Sequence, residues 1–141
     1  MSAEVWLTVT GEQTGPDGSR DRSRTSCRAV YDQFEGRHIF TYSERDPENG
    51  AVTESVMELS ESSCSIRRRG AVSTNMRFVP CKEQDCMYET PYGSIPLTTF
   101  TRKIAVRRMG ENLHARIRYR MVLMGADPVE CAVTVKAEPL T

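Results

Sequence analysis

Strict alternation of apolar and polar residues in LHARIRYRMVLM, residues 113–124, constrains the fold more than any other feature of the sequence. Apolar or aromatic side chains occupy every second position, and His114 and three arginines lie between them. Because successive side chains of a strand point to opposite faces of a sheet, this pattern predicts a strand with one buried and one polar face. The segment VECAVTVK, 129–136, repeats the pattern. A pairing of the two segments would place Glu130 on the same outer face as the arginines.

The same alternation recurs along the chain, whereas helical periodicity is nearly absent. A polar segment rich in Gly and Pro, 11–24, is predicted to be a loop. Short turns are predicted at Asn49-Gly50, a strong hairpin signal, at KEQD (82–85), Tyr92-Gly93, 110–112 and 125–128. The ten predicted strands are residues 3–10, 25–34, 37–45, 51–60, 63–69, 71–80, 85–92, 95–108, 112–124 and 129–137.

A row of antiparallel strands must either stack as two sheets or close into a barrel. Short turns between successive strands favour an up-and-down barrel, because Greek-key sandwiches need longer crossovers. The predicted fold is therefore all-β, a single antiparallel barrel of eight to ten strands in a meander, formed by residues 1–141 as one domain. A barrel of this size either closes over its own side chains or holds one small ligand.

Composition narrows the class of protein. A hydrophobic share of 38% and a charged share of 27% are typical of a soluble globular chain. There is no apolar run long enough for a membrane helix, and the first residues do not resemble a secretory signal, so a cytoplasmic protein is expected. Five cysteines, an odd number without an export signal, predict reduced thiols. Cys81 and Cys86 flank the KEQD turn, where a cross-strand pairing would bring them within disulfide range.

Charge is distributed unevenly although the net charge is zero. Residues 1–62 contain 12 acidic and 6 basic side chains, and residues 63–141 contain 7 acidic and 13 basic ones. Sixteen of the 19 basic residues are arginines, which suit bidentate pairing with carboxylate or phosphate. The plainest interpretation is that these arginines pair with the acidic strands. The alternative is an outward basic surface patch, for which the candidates are Arg107, Arg116, Arg118 and Arg120.

Two blocks of sequence carry a family resemblance, RRRGAVSTNMRFVP (67–80) and YETPYGSIPLTTFTRKI (88–104). Together they resemble the YwiB-like family of small bacterial proteins, and the likeness extends over residues 5–135. The resemblance implies a calycin-like β-barrel, similar in architecture to lipocalins and fatty-acid-binding proteins. It implies no activity, because the family is uncharacterised. The chain departs from its relatives at Pro80-Cys81, where they often have a glycine, which bears on the geometry of the 80–86 hairpin.

Arg77 lies between Met76 and Phe78, and its side chain has two alternative positions. If Met76 and Phe78 fill the core, Arg77 is outside and solvated or salt-bridged. In the opposite arrangement Arg77 enters the lumen, where a guanidinium needs a carboxylate, hydroxyl groups or an anionic ligand. Our hypothesis is that Arg77 forms the polar end of a small lumen pocket. The predicted ligand-binding residues are Arg67, Arg77, Tyr92, Thr101 and Tyr119.

The function that the sequence favours is binding of a small amphipathic or anionic molecule in the barrel lumen. The alternative is a filled barrel that binds an acidic protein or nucleic acid through its arginine-rich outer face. Nucleic acid is the less favoured partner, because the overall charge is zero and no exposed row of aromatic residues can be identified. The sequence is also compatible with a homodimer that forms through an exposed face of the sheet.

Motifs of catalysis and cofactor binding are missing from the sequence. It contains no G-x-S-x-G, no phosphate-binding G-x-x-x-x-G-K-S/T and no H-E-x-x-H. No enzyme activity is therefore supported, and neither a cofactor nor a metal is expected.

Overall fold

All ten predicted strands are present in the computed structural model, which describes residues 2–70, 73–124 and 126–140. They form one antiparallel sheet, so the predicted all-β meander is confirmed. No helix in these ranges is long and apolar enough to cross a membrane. The strands are β1 (Ser2–Thr14), β2 (Arg20–Phe34), β3 (Arg37–Arg45), β4 (Val52–Leu59), β5 (Cys64–Arg69), β6 (Thr74–Phe78), β7 (Glu83–Thr90), β8 (Gly93–Met109), β9 (Asn112–Leu123) and β10 (Val129–Pro139).

The sheet curves into a nearly closed barrel. Successive strands pair along the chain, and β1 pairs with β10, so the strand order is β6-β5-β4-β3-β2-β1-β10-β9-β8-β7. The two edge strands, β6 and β7, meet through Ser73 and Glu89, each of which donates its backbone N–H to the other's carbonyl oxygen at 2.9 Å. We call the junction between β6 and β7 the seam. It is the least hydrogen-bonded strand junction of the described barrel.

The segment predicted as a loop, 11–24, is mostly strand, so that prediction was wrong. β1 continues to Thr14 and β2 begins at Arg20, and these two residues are paired. Only residues 15–19 form the turn, in which the Gly15 N–H donates to the Ser19 carbonyl at 2.8 Å. Polar residues suffice here because both faces of this hairpin extension are largely exposed. Residues 71 and 72 of the predicted strand 71–80, and residue 125 of the predicted turn 125–128, lie outside the described residues.

The connection between β6 and β7 also differs from the prediction. The turn is formed by residues 79–82 and so includes only the first residue of KEQD: the Lys82 N–H donates to the Val79 carbonyl at 3.1 Å, and β7 already begins at Glu83. Cys81 has a φ of 64°, in the left-handed region where glycine is favoured. Pro80-Cys81, where the family resemblance leads us to expect a glycine, therefore includes a strained position. Cys86 opposes Leu97 of β8 instead of Cys81, and all five cysteines are free thiols.

The middle of the barrel is filled by inward-pointing side chains from most strands. Five of the largest are at most 1% exposed: Leu7, Phe40, Met57, Phe78 and Ile117. The Phe78 ring packs on the Tyr119 ring with 4.6 Å between centroids. Burial of such side chains contributes about 1.5–3 kcal/mol each relative to exposure, so this cluster is a main source of stability.

We predict opposite outcomes for two neighbouring alanine substitutions in β6. Phe78→Ala removes a fully buried ring and leaves a cavity, which is expected to lower the unfolding free energy by about 3–5 kcal/mol. Arg77→Ala is expected to change it by less than about 0.5 kcal/mol, because the Arg77 side chain is exposed. Urea denaturation followed by circular dichroism measures both. A larger loss for Arg77→Ala than for Phe78→Ala would contradict the observed orientation of β6.

Candidate functional site

Four polar side chains point into the barrel in one row near the end where β5 finishes and β6 begins. Tyr42 of β3 is the cross-strand partner of Ser55 in β4, and Ser55 is the partner of Arg68 in β5. Arg68 is in turn opposite Thr74 of β6. Directly paired residues share a face of the sheet, and Tyr42, Ser55 and Thr74 are buried, so all four side chains are on the inner face. We call these four residues the polar row.

Several atoms of the polar row have no partner at good hydrogen-bond geometry, although the Ser55 hydroxyl is close enough to Tyr42 to act against the rise in the pKa of that phenol. Five buried side-chain atoms have no hydrogen-bond partner among the described residues: Tyr42 Oη, Ser55 Oγ, Arg68 Nε, Thr74 Oγ1 and Thr101 Oγ1. Four of these atoms belong to the polar row. Leaving a buried polar group unpaired costs about 1–3 kcal/mol, and more for a charged one, so such groups are rarely grouped in a core without a reason. The grouping marks this end of the barrel as the candidate site.

The charge of Arg68 acts on phenols from two walls of the barrel. Burial raises the pKa of Tyr42 to about 12, and Arg68 partly opposes that rise. Burial also raises the pKa of Tyr119 on β9, and Arg68 again acts in the opposite direction. The half-buried carboxylate of Glu44 raises the pKa of Tyr42, but the ion pairs of the described residues include neither Glu44 nor Arg68. The guanidinium therefore lies between two neutral phenols without a carboxylate partner.

A cleft at the seam connects two members of the polar row to solvent. Its volume is about 730 Å³, within the range of small-molecule sites, and Arg68 and Thr74 belong to its lining. Its cationic lining is Arg67, Arg68 and Arg69, against two carboxylates, Asp85 and Glu89. Asp85 already accepts a hydrogen bond from Thr98 Oγ1 at 2.7 Å. The other lining residues are Gly70, Ser73, Asn75, Cys86 and Met87.

Polar groups at the opposite end of the barrel satisfy one another, in contrast. Arg108 Nη2 donates to Tyr31 Oη at 3.0 Å, and Tyr31 Oη is 2.7 Å from His38 Nδ1. The rings of Tyr31 and His38 are stacked. Burial lowers the pKa of His38, and the charge of Arg108 adds to that effect. This cluster is explained by its internal hydrogen bonds and does not indicate a binding site.

The structure separates the five predicted ligand-binding residues. Thr101 and Tyr119 are buried and directly paired across β8 and β9. Arg77 is exposed because Phe78 takes the inner face, so the hypothesis that Arg77 enters the lumen was wrong. Tyr92 is fully exposed between β7 and β8, so its predicted place in the pocket was also wrong. Arg67 points outward from β5 but contributes to the mouth of the cleft.

Arg68 is the arginine that enters the barrel, and the sequence reasoning missed it. The signal was the alternation in CSIRRR, where Arg68 falls on the same side as Cys64 and Ile66, both of which are buried. The run of three arginines hid this signal, because any one of the three could be read as pointing into the barrel. The register with Ser55 and Thr74 decides it.

Most surface arginines do not form ion pairs, contrary to the interpretation that they pair with the acidic strands. Among the described residues, Arg37 contacts Glu35 and Glu58 at 3.7 Å, and Arg102 contacts Glu130 at 2.6 Å. Glu130 is thus occupied by Arg102 instead of by a member of the alternating stripe. The four residues of the proposed basic patch, Arg107, Arg116, Arg118 and Arg120, point outward from β8 and β9.

The buried phenol of Tyr42 predicts a loss of stability at alkaline pH. Its pKa is about 12 in the folded protein and about 10 in the unfolded chain, so the unfolded state loses the proton first as pH rises. Stability is unaffected below about pH 10 and falls by about 2–3 kcal/mol as pH rises to about 12. Tyr42→Phe removes the titratable phenol. The variant should therefore lose less unfolding free energy than the parent between about pH 10 and pH 12, as measured by urea denaturation. The same alkaline loss in both proteins would contradict the buried position of this phenol.

Comparison with known proteins agrees with the fold. The family model described as a domain of unknown function, DUF1934, matches residues 7–135. The crystal structure of the ywiB protein from Bacillus subtilis is similar with a TM-score of 0.84 and 23% identity, over 99% of this chain and 94% of that one. This structural likeness shows the fold alone. No curated protein matches the sequence. With most of its length covered by the family model, the chain belongs to the DUF1934 family of YwiB-like proteins.

Proposed function

We propose that the barrel binds a small anionic or amphipathic molecule at the seam, with Arg68 holding its anionic group. The observation that carries the proposal is the buried Arg68 Nε, which has no partner among the described residues although three hydroxyl-bearing side chains lie in the same row. Arg68 as a whole is half-buried, but a guanidinium nitrogen that is buried without a partner is costly inside a protein. A carboxylate or phosphate offers it a charge-assisted hydrogen bond.

The surroundings of Arg68 favour an anion over a cation. Three arginines line the cleft against two carboxylates, and one of those carboxylates already accepts a hydrogen bond. The hydroxyl group of Thr74, which lines the same cleft, can donate a further hydrogen bond to an oxygen atom of the anionic group. A planar carboxylate or a phosphate provides acceptor positions for both Arg68 and Thr74.

An apolar portion of the ligand has a place in the same cleft. Met87 and Cys86 are part of the lining, and the filled core lies beyond the polar row. Because the middle of the barrel is occupied by large side chains, the ligand would lie at the seam and not along the barrel axis. This arrangement would be a variant of the calycin-like mode of binding, in which a barrel holds a small molecule through a polar group inside and an apolar surface around it.

Native mass spectrometry of the protein purified from its own host tests the proposal. We expect a retained small molecule with a carboxylate or phosphate group. Arg68→Met removes the charge at similar length, so its retained fraction should fall about tenfold to hundredfold, since a hydrogen bond to a charged group contributes about 1.5–3 kcal/mol.

Arg77→Met is the matched control, because it removes an arginine from the outer face of the adjacent strand. It should retain the molecule like the parent protein. A molecule held equally by Arg68→Met, or a retained molecule without an anionic group, would overturn the assignment of Arg68.

A further inference from the structure

Six arginines form two parallel rails on the outer surface of the barrel, one on β9 and one on β2. The rails are separated by β10 and β1, that is by three strand spacings or about 14 Å along the sheet. Cross-strand pairing places each arginine of one rail in register with one of the other. The three registered rows are Arg120, Glu130, Thr14 and Arg20; Arg118, Ala132, Glu12 and Arg22; and Arg116, Thr134, Thr10 and Arg24.

The surface between the rails is a shallow valley of mostly small side chains. A groove of about 350 Å³ lies over the side of it next to β9, where Arg116 and Arg118 form part of the wall. Thr10, Ala132 and Thr134 are buried or half-buried, so they present little bulk at the valley floor. The remaining lining residues of the groove are Glu12, Thr14, Arg102, Glu130 and Cys131.

A β-bulge adds basic charge beside the β9 rail. The register between β8 and β9 shifts between Thr101 and Lys103, which inserts Arg102 as an extra residue. Arg102 donates from Nε and Nη2 to the two carboxylate oxygens of Glu130, at 3.1 Å and 2.6 Å. This bidentate pair neutralises one of the two carboxylates in the valley, and Glu12 is the other.

The rail arginines have no carboxylate partner among the described residues. Arg116 donates to Thr134 Oγ1 at 3.4 Å, and the Arg120 guanidinium lies 5.9 Å from the centroid of the Phe100 ring. The overall neutrality of the chain does not cancel this local charge. The Debye length is about 8 Å at physiological salt, so acidic groups on the far wall of the barrel are largely screened.

We propose that this valley binds the phosphate backbone of double-stranded nucleic acid, without reading its sequence. One backbone would lie between the rails, where arginines from both sides make bidentate contacts with phosphates. The three registered rows contain no large exposed apolar side chain, which a protein partner would need as an anchor; Trp6, 40% exposed on the same face of β1, lies outside these rows. The rows also contain no free aromatic platform for stacking single-stranded bases, and beside them Arg120 covers the half-buried Phe100.

Fluorescence anisotropy with a short labelled DNA duplex, titrated between about 50 and 200 mM salt, tests the proposal. Each phosphate contact contributes about 0.9 to the slope of log affinity against log salt. Replacing the three arginines of either rail with glutamine (Arg116, Arg118 and Arg120, or Arg20, Arg22 and Arg24) should therefore reduce that slope by about 2.7.

The control replaces Arg45, Arg77 and Lys82 with glutamine, three exposed cations outside the valley, for the same change in net charge. It should keep the slope of the parent protein. The proposal is overturned by any of four results: no binding at low salt, equal loss in the control, tighter binding to a single strand, or displacement of the duplex by polyglutamate at equal charge concentration.

Discussion

Closure of this barrel depends on how its two edge strands meet. In the described barrel nine of the strand junctions are ladders of at least five residue pairs, whereas β6 and β7 are joined by the hydrogen bonds of Ser73 with Glu89. β6 has only five residues, and the Cys81 N–H in the turn after it donates a hydrogen bond to the Thr101 carbonyl of β8. These two features keep the remaining residues of β6 and β7 from pairing. The seam thus gives the inward-pointing Arg68 a route to solvent.

The alternation of residues determined most of the fold at the level of sequence. It indicated ten strands and the meander, and in β9 it also indicated which side chains are inside, because apolar and charged residues there differ sharply. It marked the inner side of β5 only through Cys64 and Ile66, and the run Arg67, Arg68 and Arg69 that follows has no alternation of its own. Their orientation follows from pairing with β4 and β6, which is a property of register and not of local sequence.

The second arginine rail was hidden for a different reason. Residues 20–24 alternate arginine with other polar residues in a segment that is rich in Gly and Pro nearby, so a loop was the natural interpretation. Pairing with β1 makes them a strand and directs three arginines to one face. Two surfaces of distinct chemistry result, a half-buried arginine at the seam and a locally basic valley on the outside, in a chain whose charges sum to zero.

Amide hydrogen exchange by NMR tests the open seam most directly. Alternate residues of a strand direct their N–H groups to opposite neighbours, so the amides of Asn75 and Arg77, and of Asp85 and Met87, point into the seam on the same side as Ser73 and Glu89. The account predicts fast exchange at these four positions and slow exchange at Met76, whose N–H faces β5. Uniform protection along β6 and β7 would show a fully hydrogen-bonded barrel and contradict the account.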